Sequence, residues 1–494
     1  MAEGTGTLTV ELDFDNSGVF ATDITAYLPA PQTLAISGIG RQEDLSVGGI
    51  SSLTLTLENK DGHFTPKNTG GAYYNDVHPG IGIRVNFIFN SVTYARFQGI
   101  VEEIAVDGSV GGQKAVITAR DMAARIDATD VRLSLQEDAL TGTIIGALLD
   151  ETGIPVGIMG RAVDVGDTRL ERIAFDRGKA LEYINRVSQE ELGGLFYMDG
   201  SVATFEAKSH RWLSPHTVSQ ATFSERGILS YAENIRDRIS EIILDFPEWD
   251  VGIPGSKVFD LFPVPRFIPP SSTLRIEAPY GGTIVSDTIT PIANTDYLIS
   301  TYPGGGDDRS GDVSLAFTDF GGASQAIFTN NVAVGLYLIS YQVRGTPVRY
   351  ASDLTPIRAT PSSPPTSIPA VVRFGYEFNS SRASMQTWSE YLAARWGDVQ
   401  RERLSLTLQA PWPKADITAS DMVQILSRKV SDRITVVSTT LPFSVKVNAD
   451  YHIDSIDLAI RDDHIEATYR LVPVDVDFFK WDISSWDGAD VWAP

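Results

Sequence analysis

The chain has no cysteine in 494 residues, only 6 histidines, and 40 Lys and Arg against 63 Asp and Glu, a formal charge of −23. The missing thiols exclude disulfide scaffolds, thiolate zinc sites, iron–sulfur clusters and cysteine nucleophiles. Cytoplasmic synthesis accounts for their absence equally well. The shortage of positive charge, with no basic block anywhere, argues against a face that grips nucleic acid, because Lys and Arg supply that affinity. An acidic surface instead suits a wall along which DNA slides. Nowhere do 18 apolar residues run together. The most apolar stretches, such as Val85–Phe89, are strand-length, so a soluble chain without a membrane span is expected. Met1–Val10 carries neither a positive region nor an apolar core, so no secretory leader is expected.

Hydrophobic residues make up 43% of the chain, and 42 Gly and 26 Pro occur without a low-complexity tract, which points to a turn-rich β protein. At about 100 to 200 residues per domain, three or four domains are expected. Leu8, Val10, Leu12 and Phe14 alternate with polar neighbours, as do Leu53, Leu55 and Leu57, and Val116 with Thr118, the period-2 pattern of half-buried strands. Turn residues Asn16-Ser17-Gly18, Asp61-Gly62, His78-Pro79-Gly80 and Asp107-Gly108 punctuate them. Residues 1–130 therefore read as an N-terminal β-barrel or sandwich.

Residues 131–220 read as a small α/β domain. Ile144, Ile145, Leu148 and Leu149 form a helical stripe stopped by Gly153 and Pro155. A second helix is expected over Lys179–Leu192, with Leu181, Ile184 and Val187 inward and Gly193-Gly194 closing it. A hairpin follows, Leu195–Met198 and Ser201–Phe205 around a two-residue Asp199-Gly200 turn. Pro247 to Pro270, with further prolines at 254, 263, 265 and 269, reads as an extended linker. Residues 271–358 read as an inserted β-sandwich, and Ala359–Pro369 as the return boundary. A helix is expected over Ser384–Gly397, its Met385, Trp388, Tyr391, Leu392 and Trp396 packing into a core. Strands resume at Leu404–Leu408, Ile434–Val437, Ile453–Leu458 and Ile465–Val472. An aromatic tail, 476–494, carries Trp481, Trp486 and Trp492 and is expected to dock on its own body or a neighbour.

Signals for chemistry are sparse. His63, His78, His210, His216, His452 and His464 share no metal-ligand spacing and are expected in loops or on the surface. No nucleophile elbow and no phosphate-binding glycine motif occurs. The pairs Glu102-Glu103, Asp307-Asp308 and Asp462-Asp463 read as solvated loop charge. Asp13-Phe14-Asp15-Asn16-Ser17-Gly18 matches half of a calcium loop, but Ile24 stands where a bidentate Glu belongs, so a plain turn is preferred. Gly304-Gly305-Gly306-Asp307-Asp308 with Asp312 is likewise a turn first and a calcium loop second. No catalytic, cofactor or metal residue is nominated.

The stretch Leu55-Thr56-Leu57-Glu58-Asn59-Lys60-Asp61-Gly62-His63-Phe64-Thr65-Pro66, continued by Tyr73-Tyr74 and His78-Pro79-Gly80-Ile81-Gly82-Ile83-Arg84-Val85, resembles a pattern in tail proteins of long-tailed bacteriophages. There a strand ends in Asn-x-Asp-Gly-x-Phe-x-Pro, and a loop then leads to Arg-Pro-Gly and another strand. This chain has His78 where that family usually has Arg. Phe97–Glu102 and Val116–Asp121 resemble the succeeding strands, and Ala180–Phe205 resembles the small domain of tail hub and late-control proteins.

The resemblance implies a mainly β chain with a small α/β part: two β-barrel hub domains, a helix–hairpin domain between them, and an inserted β-sandwich. The second barrel would comprise 221–270 and 359–475. It implies a non-enzymatic virion protein forming the hub of a tail tip or baseplate. The family's homotrimer makes a ring of six barrels that ends the tail tube. Its partners would be two further copies of itself, the tube or distal tail protein, and a fibre or spike, with DNA only as passing cargo during ejection. It would be made in the host cytoplasm and reside in the virion tail. Two other readings fit the same residues: a carbohydrate-binding protein of host attachment, stacking sandwich and tail aromatics on a host-surface glycan, and a polysaccharide hydrolase with two carboxyls about 5 to 9 Å apart.

Overall fold

The computed structural model of the chain describes residues 4–492 except 31, 43–45, 109–112, 192, 225–227, 233–238, 262–264, 351–353, 362–370, 379–380, 398–402, 413, 416–418, 439–446, 462, 475–477 and 480–490. The fold is mainly β, as the alternation predicts. The N-terminal part supplies β1 (Gly4–Asp13), β2 (Thr22–Asp23), β3 (Leu34–Gly40), β4 (Ser52–Glu58), β5 (Gly82–Phe89), β6 (Val92–Asp107) and β7 (Lys114–Asp121). Their alternating residues, Leu53, Leu55 and Leu57 or Val85, Phe87 and Phe89, are fully buried.

A helix–hairpin module follows: α1 (Ala123–Asp127), β8 (Asp130–Leu140), α2 (Thr141–Glu151), β9 (Gly160–Val163), β10 (Arg169–Lys179), α3 (Ala180–Glu190), β11 (Leu195–Asp199) and β12 (Val202–Glu206). The helix stripe Ile144, Ile145, Leu148 and Leu149 and the inward residues Leu181, Ile184 and Val187 share its core with Phe175 and Phe205. The end of the second predicted helix, Leu192, lies outside the described residues. The hairpin turn sits one residue later than the sequence suggests. Asp199 pairs with Val202, leaving Gly200-Ser201 as the loop, and Gly200 takes φ +60°, which favours glycine at the first turn position.

Next come β13 (Ala221–Ser224), β14 (Ile228–Ala232) and β15 (Glu241–Phe246). The proline-rich stretch expected to be a linker instead contains β16 (Trp249–Val251), β17 (Ser256–Asp260) and β18 (Arg266–Ile268), all paired with one long strand. Its prolines flank these short pairings, where no ladder donor is required. The sandwich continues with β19 (Thr273–Pro279), β20 (Ile284–Ile289), β21 (Tyr297–Ser300), β22 (Val313–Asp319), β23 (Ala323–Asn330) and that long strand, β24 (Leu336–Tyr350). Strands β16, β17, β18, β20 and β21 all pair with β24, while β19, β23 and β22 form the second sheet. Between the sheets lie Ile268, Val285, Ile299, Phe328, Leu336 and Tyr341. The inserted module therefore begins some twenty residues before position 271.

The return runs through β25 (Thr355–Ala359), β26 (Val371–Gly375) and α4 (Arg382–Gly397). Both strands pair with β15, and Met385, Trp388 and Leu392 bury against Ile242, Leu244 and Phe246, the core role expected of them, with Tyr391 partly buried beside them; the Trp396 side chain lies outside the described residues. Most of the expected boundary, residues 362–370, lies outside the described residues. The chain ends with β27 (Arg403–Pro411), β28 (Lys414–Ala415), α5 (Ala419–Ser427), β29 (Arg433–Ser438), β30 (Val447–Arg461), β31 (His464–Pro473), β32 (Phe478–Phe479) and β33 (Val491–Trp492). Strands β32 and β33 pair in parallel, and Trp481 and Trp486 of the tail lie outside the described residues.

The strands expected in a second barrel lie in the same sheet as the first. The order β27-β31-β30-β3-β4-β7-β6-β5-β1 links nine strands, and β28, just beyond β27, pairs Lys414–Ala415 with Thr5–Gly4 of β1. Strand β14 extends this path beyond β27 and β2 extends it beyond β1, and residues from early and late in the sequence line one core. Leu8, Val10 and Leu12 share it with Leu404, Leu406, Ile456 and Leu458. Where β30 crosses β3, a bulge sets Gly38 and Gly40 at φ +84° and +91°. A Cβ on Gly40 would come 2.3 Å from the Asp454 carbonyl oxygen. Trp412 packs beside the pairing of β28 with β1: its ring lies 5.6 Å from that of Phe87 and covers Gly6, and its Nε1 donates to Gln32 Oε1 at 3.0 Å. Helix α5 puts Met422, Ile425 and Leu426 into the same core. Arg96 of β6 donates to the Ile425 and Arg428 carbonyls at 3.3 and 2.9 Å, a cation at a helix C-terminus. Trp412→Ala is expected to cost about 3–5 kcal/mol in chemical denaturation, the usual loss for a buried indole.

Candidate functional site

The loop between β4 and β5 carries the motif that resembles tail proteins, and its chemistry is structural. Asn59 is buried at the end of β4. Its Oδ1 accepts from Phe64 N at 2.9 Å, its Nδ2 donates to Thr65 Oγ1 at 3.0 Å, and its backbone N–H donates to the Gln113 carbonyl. Gly62 turns at φ +67°, and Asn68 Nδ2 donates to its carbonyl at 3.0 Å. This folds Phe64 fully into the barrel core. There it meets Tyr27 edge-on at 5.0 Å and Tyr73 at 5.6 Å. Burial, then the hydrogen bond with Tyr27, pushes the Tyr73 hydroxyl up to about 12. His78, in the place of the family's Arg, is exposed, and its Nδ1 lies 2.8 Å from the Pro79 carbonyl oxygen.

The acidic pairs are not gathered into a catalytic arrangement. Glu102 pairs with Arg120 at 2.8 Å on the wall of an open groove of about 440 Å³, beside Ile100 and Arg125. Asp307 accepts from Ser300 Oγ, Thr301 N, Thr301 Oγ1 and Arg309 Nε, which hold its carboxyl well below the usual range. Asp308 accepts from Ser310 N at 2.9 Å and Asn294 Nδ2 at 2.7 Å. Asp463 is exposed and Asp462 lies outside the described residues. In the calcium-like stretch, Asp13 is itself buried, and its oxygens accept from Ser17 N at 3.2 Å, Ser17 Oγ at 3.4 Å and Gly18 N at 2.7 Å. Ile24 is fully buried in the core. Both stretches are turns closed by their own donors. Among the described residues no three His, Asp or Glu side chains gather to hold a metal ion.

The histidines depart most from expectation. His63, His78 and His464 stay in loops or at the surface, but His216 and His452 are buried and His210 half-buried. Sequence spacing could not reveal this, because residues 210–216 and 452 come together only when the module seats on the barrel. Their surroundings form a buried polar seam. Tyr197 Oη donates to Glu206 Oε1 at 2.8 Å, and Ser431 Oγ donates to Glu206 Oε2. Arg211 donates to Asp454 Oδ1 at 2.5 Å and to Ser431 Oγ at 3.0 Å. Arg41 of β3 donates to the Gly193 carbonyl at 3.2 Å, and its Nε lies 3.7 Å from Asp454. The His452 Nδ1 lies 3.1 Å from the Ser431 carbonyl oxygen. Burial and then the Arg211 charge hold its imidazole down to about 2. Burial and then neighbouring His210, with ring centroids 4.7 Å apart, lower His216. Burial also disfavours charge on His210, but Asp164 at 2.8 Å and Glu206 outweigh it and raise it. The seam joins two parts of one molecule.

No model of a protein family matches the chain, and no curated protein matches it. Among solved structures, the 43 kDa tail protein of prophage MuSo2 from Shewanella oneidensis is similar over 95% of this chain and 98% of that one, with 10% identity and a TM-score of 0.49. A tail protein from Neisseria meningitidis MC58 covers 95% and 96%, with 9% identity and a TM-score of 0.49. The prophage tail protein gp18 from Listeria monocytogenes EGD-e covers 94% of each chain, with 9% identity and a TM-score of 0.41.

Asn59→Ala strands the buried Phe64 amide, with an expected cost of about 1–3 kcal/mol in denaturant unfolding. Since the Asp13 oxygens already have donors, calcium or a chelator is expected to move the melting temperature by less than about 1 °C, whereas a ligand at a formed site would raise it.

Proposed function

We propose that this chain is a structural protein of a bacteriophage tail, forming the hub of a tail tip or baseplate. The observation that carries the reading is the order of the motifs that resemble tail proteins on one framework. The Asn59–Pro66 turn caps the barrel, Phe97–Glu102 and Val116–Asp121 are adjacent barrel strands, and Ala180–Phe205 is a helix leading into a hairpin seated on that barrel. In this reading the work is done by geometry and buried area. Asn59 and Asn68 of the motif loop and Glu206, Arg211 and Ser431 of the seam hydrogen-bond inside the molecule, which suits a scaffold.

As a hub, the chain assembles with two further copies around an axis, using a different patch on each side of every subunit as ring closure requires. It connects the tube to a fibre or spike and leaves a channel whose acidic character lets DNA pass without holding it. Fold likeness does not fix function, so assembly is the property to measure.

Light scattering and averaged electron images of the purified protein test the reading. A ring of about 160 kDa with a central hole, three chains of 53.8 kDa, is the expected result. A compact monomer at every concentration, alone and with tube protein added, would overturn it. Binding of that monomer to a glycan array would support the carbohydrate reading, for which half-exposed Phe267 against Tyr337 on the sandwich, 5.1 Å between rings, offers stacking faces.

A further inference from the structure

Residues 207–220 join the helix–hairpin module to β13 and lie across the barrel as a strap. They are fastened to a seat made by the turn between α5 and β29 and by the middle of β30. Arg211 reaches Asp454 and Ser431, Arg433 Nη1 donates to the Thr217 carbonyl at 2.8 Å, and Gln220 N donates to the Arg433 carbonyl at 2.8 Å. Ser431 is the centre of the seat. It is fully buried, non-glycine, and held at φ +67°, a conformation that persists only when its surroundings determine it. Its N–H donates to the Ile453 carbonyl, its hydroxyl joins Glu206 to Arg211, and its carbonyl lies against His452.

We propose that residues 207–220 are an acid-released latch between the helix–hairpin module and the barrel, opened by protonation of His216 on the strap and His452 on the seat. Both imidazoles are buried in the fastened state, and their surroundings disfavour a positive charge. His452 faces Arg211 from the strap and Arg433 from β29, with His216 beyond. His216 faces His210, already held toward its charged form by Asp164 and Glu206. Glu206 and Asp432 also face His216 and partly offset that repulsion. Arg41 and Asp454 complete the ring of charge at 3.7 Å, and Arg428 pairs with Asp432 at 3.2 Å.

The sign follows from proton binding. A histidine buried neutral when fastened and free near pH 6.5 when released takes up a proton on opening. The fastened state is therefore favoured above pH 6.5 and loses up to about tenfold in the opening equilibrium per pH unit below it for His452, with a smaller loss of the same sign for His216. His210, raised in the fastened state, stabilises that state most fully below pH 6.5 and so offsets part of the release just below that value. Asp164, held below the usual carboxylate range by the His210 and Ala207 donors that outweigh its burial, contributes only at lower pH.

Amide hydrogen exchange on the full chain at pH 6.5 and 5.0, corrected for intrinsic rates, reads the latch. Opening at the His216, Gln220 and Ser431 amides is expected to rise on the order of tenfold or more, while β5 and β6 keep their protection. In a His216→Gln, His452→Gln variant the rise is expected to shrink to within about threefold. If that pair does not fold, His452→Gln alone serves, and it too is expected to remove most of the rise. Equal strap protection at both pH values, a rise that survives the substitutions, or equal loss in β5 and β6 would overturn the proposal.

Discussion

The antiparallel pairing of β3 with β30 is the constraint on which the structure depends. Leu34 lies opposite Ile460 and Ile36 opposite Leu458, and Gly38 N donates to Asp457 Oδ1 at 2.8 Å. Contacts across more than 400 residues of chain carry a large closure entropy, repaid because the shared sheet buries the apolar faces of both halves in one core.

The middle of the chain attaches to this framework in two ways. The helix–hairpin module leaves the barrel after β7 and returns at β13, and its β11 puts Leu195 and Tyr197 into the barrel core itself. The sandwich instead hangs from a separate stem, β15 between β25 and β26 with α4 packed on it, and has its own core. It touches the module through Arg132, over the Phe320 ring at 4.9 Å and against Glu277 at 3.4 Å, and through Gly321, whose backbone packs against Leu135 and Ala174. The two attachments differ in kind: one is a buried polar and apolar seam, the other a stem whose ends are neighbours. A module on such a stem can change size without disturbing the barrel, the arrangement a scaffold with an exchangeable attachment needs.

The seam carries the least expected chemistry. Glu206, Asp454, Arg41 and Ser431 are all buried, and each makes hydrogen bonds or ion pairs, which is the condition for keeping charge away from water. A slip of one residue here would leave a buried charge unpaired, which is costly.

The sequence alone determined the local layer of this protein. Period-2 runs gave the strands, Ile144–Leu149 and Leu181–Val187 gave two helices, and the Asn59–Pro66 turn was legible because Asn, Gly and Pro act on their own neighbourhood. Prolines 254 to 270 misled, since short edge pairings tolerate proline and a run of prolines looks like a linker. Nothing in the sequence signalled α5, the one sheet that runs through both halves, or the three histidines on one seam. Alternation states that one face of a strand is buried, but not against which partner, and burial of an imidazole depends on residues hundreds of positions away. Those decisions belong to the tertiary structure, because only the folded sheet brings residue 36 to residue 458 and seats residues 207–220 against Ser431 and His452.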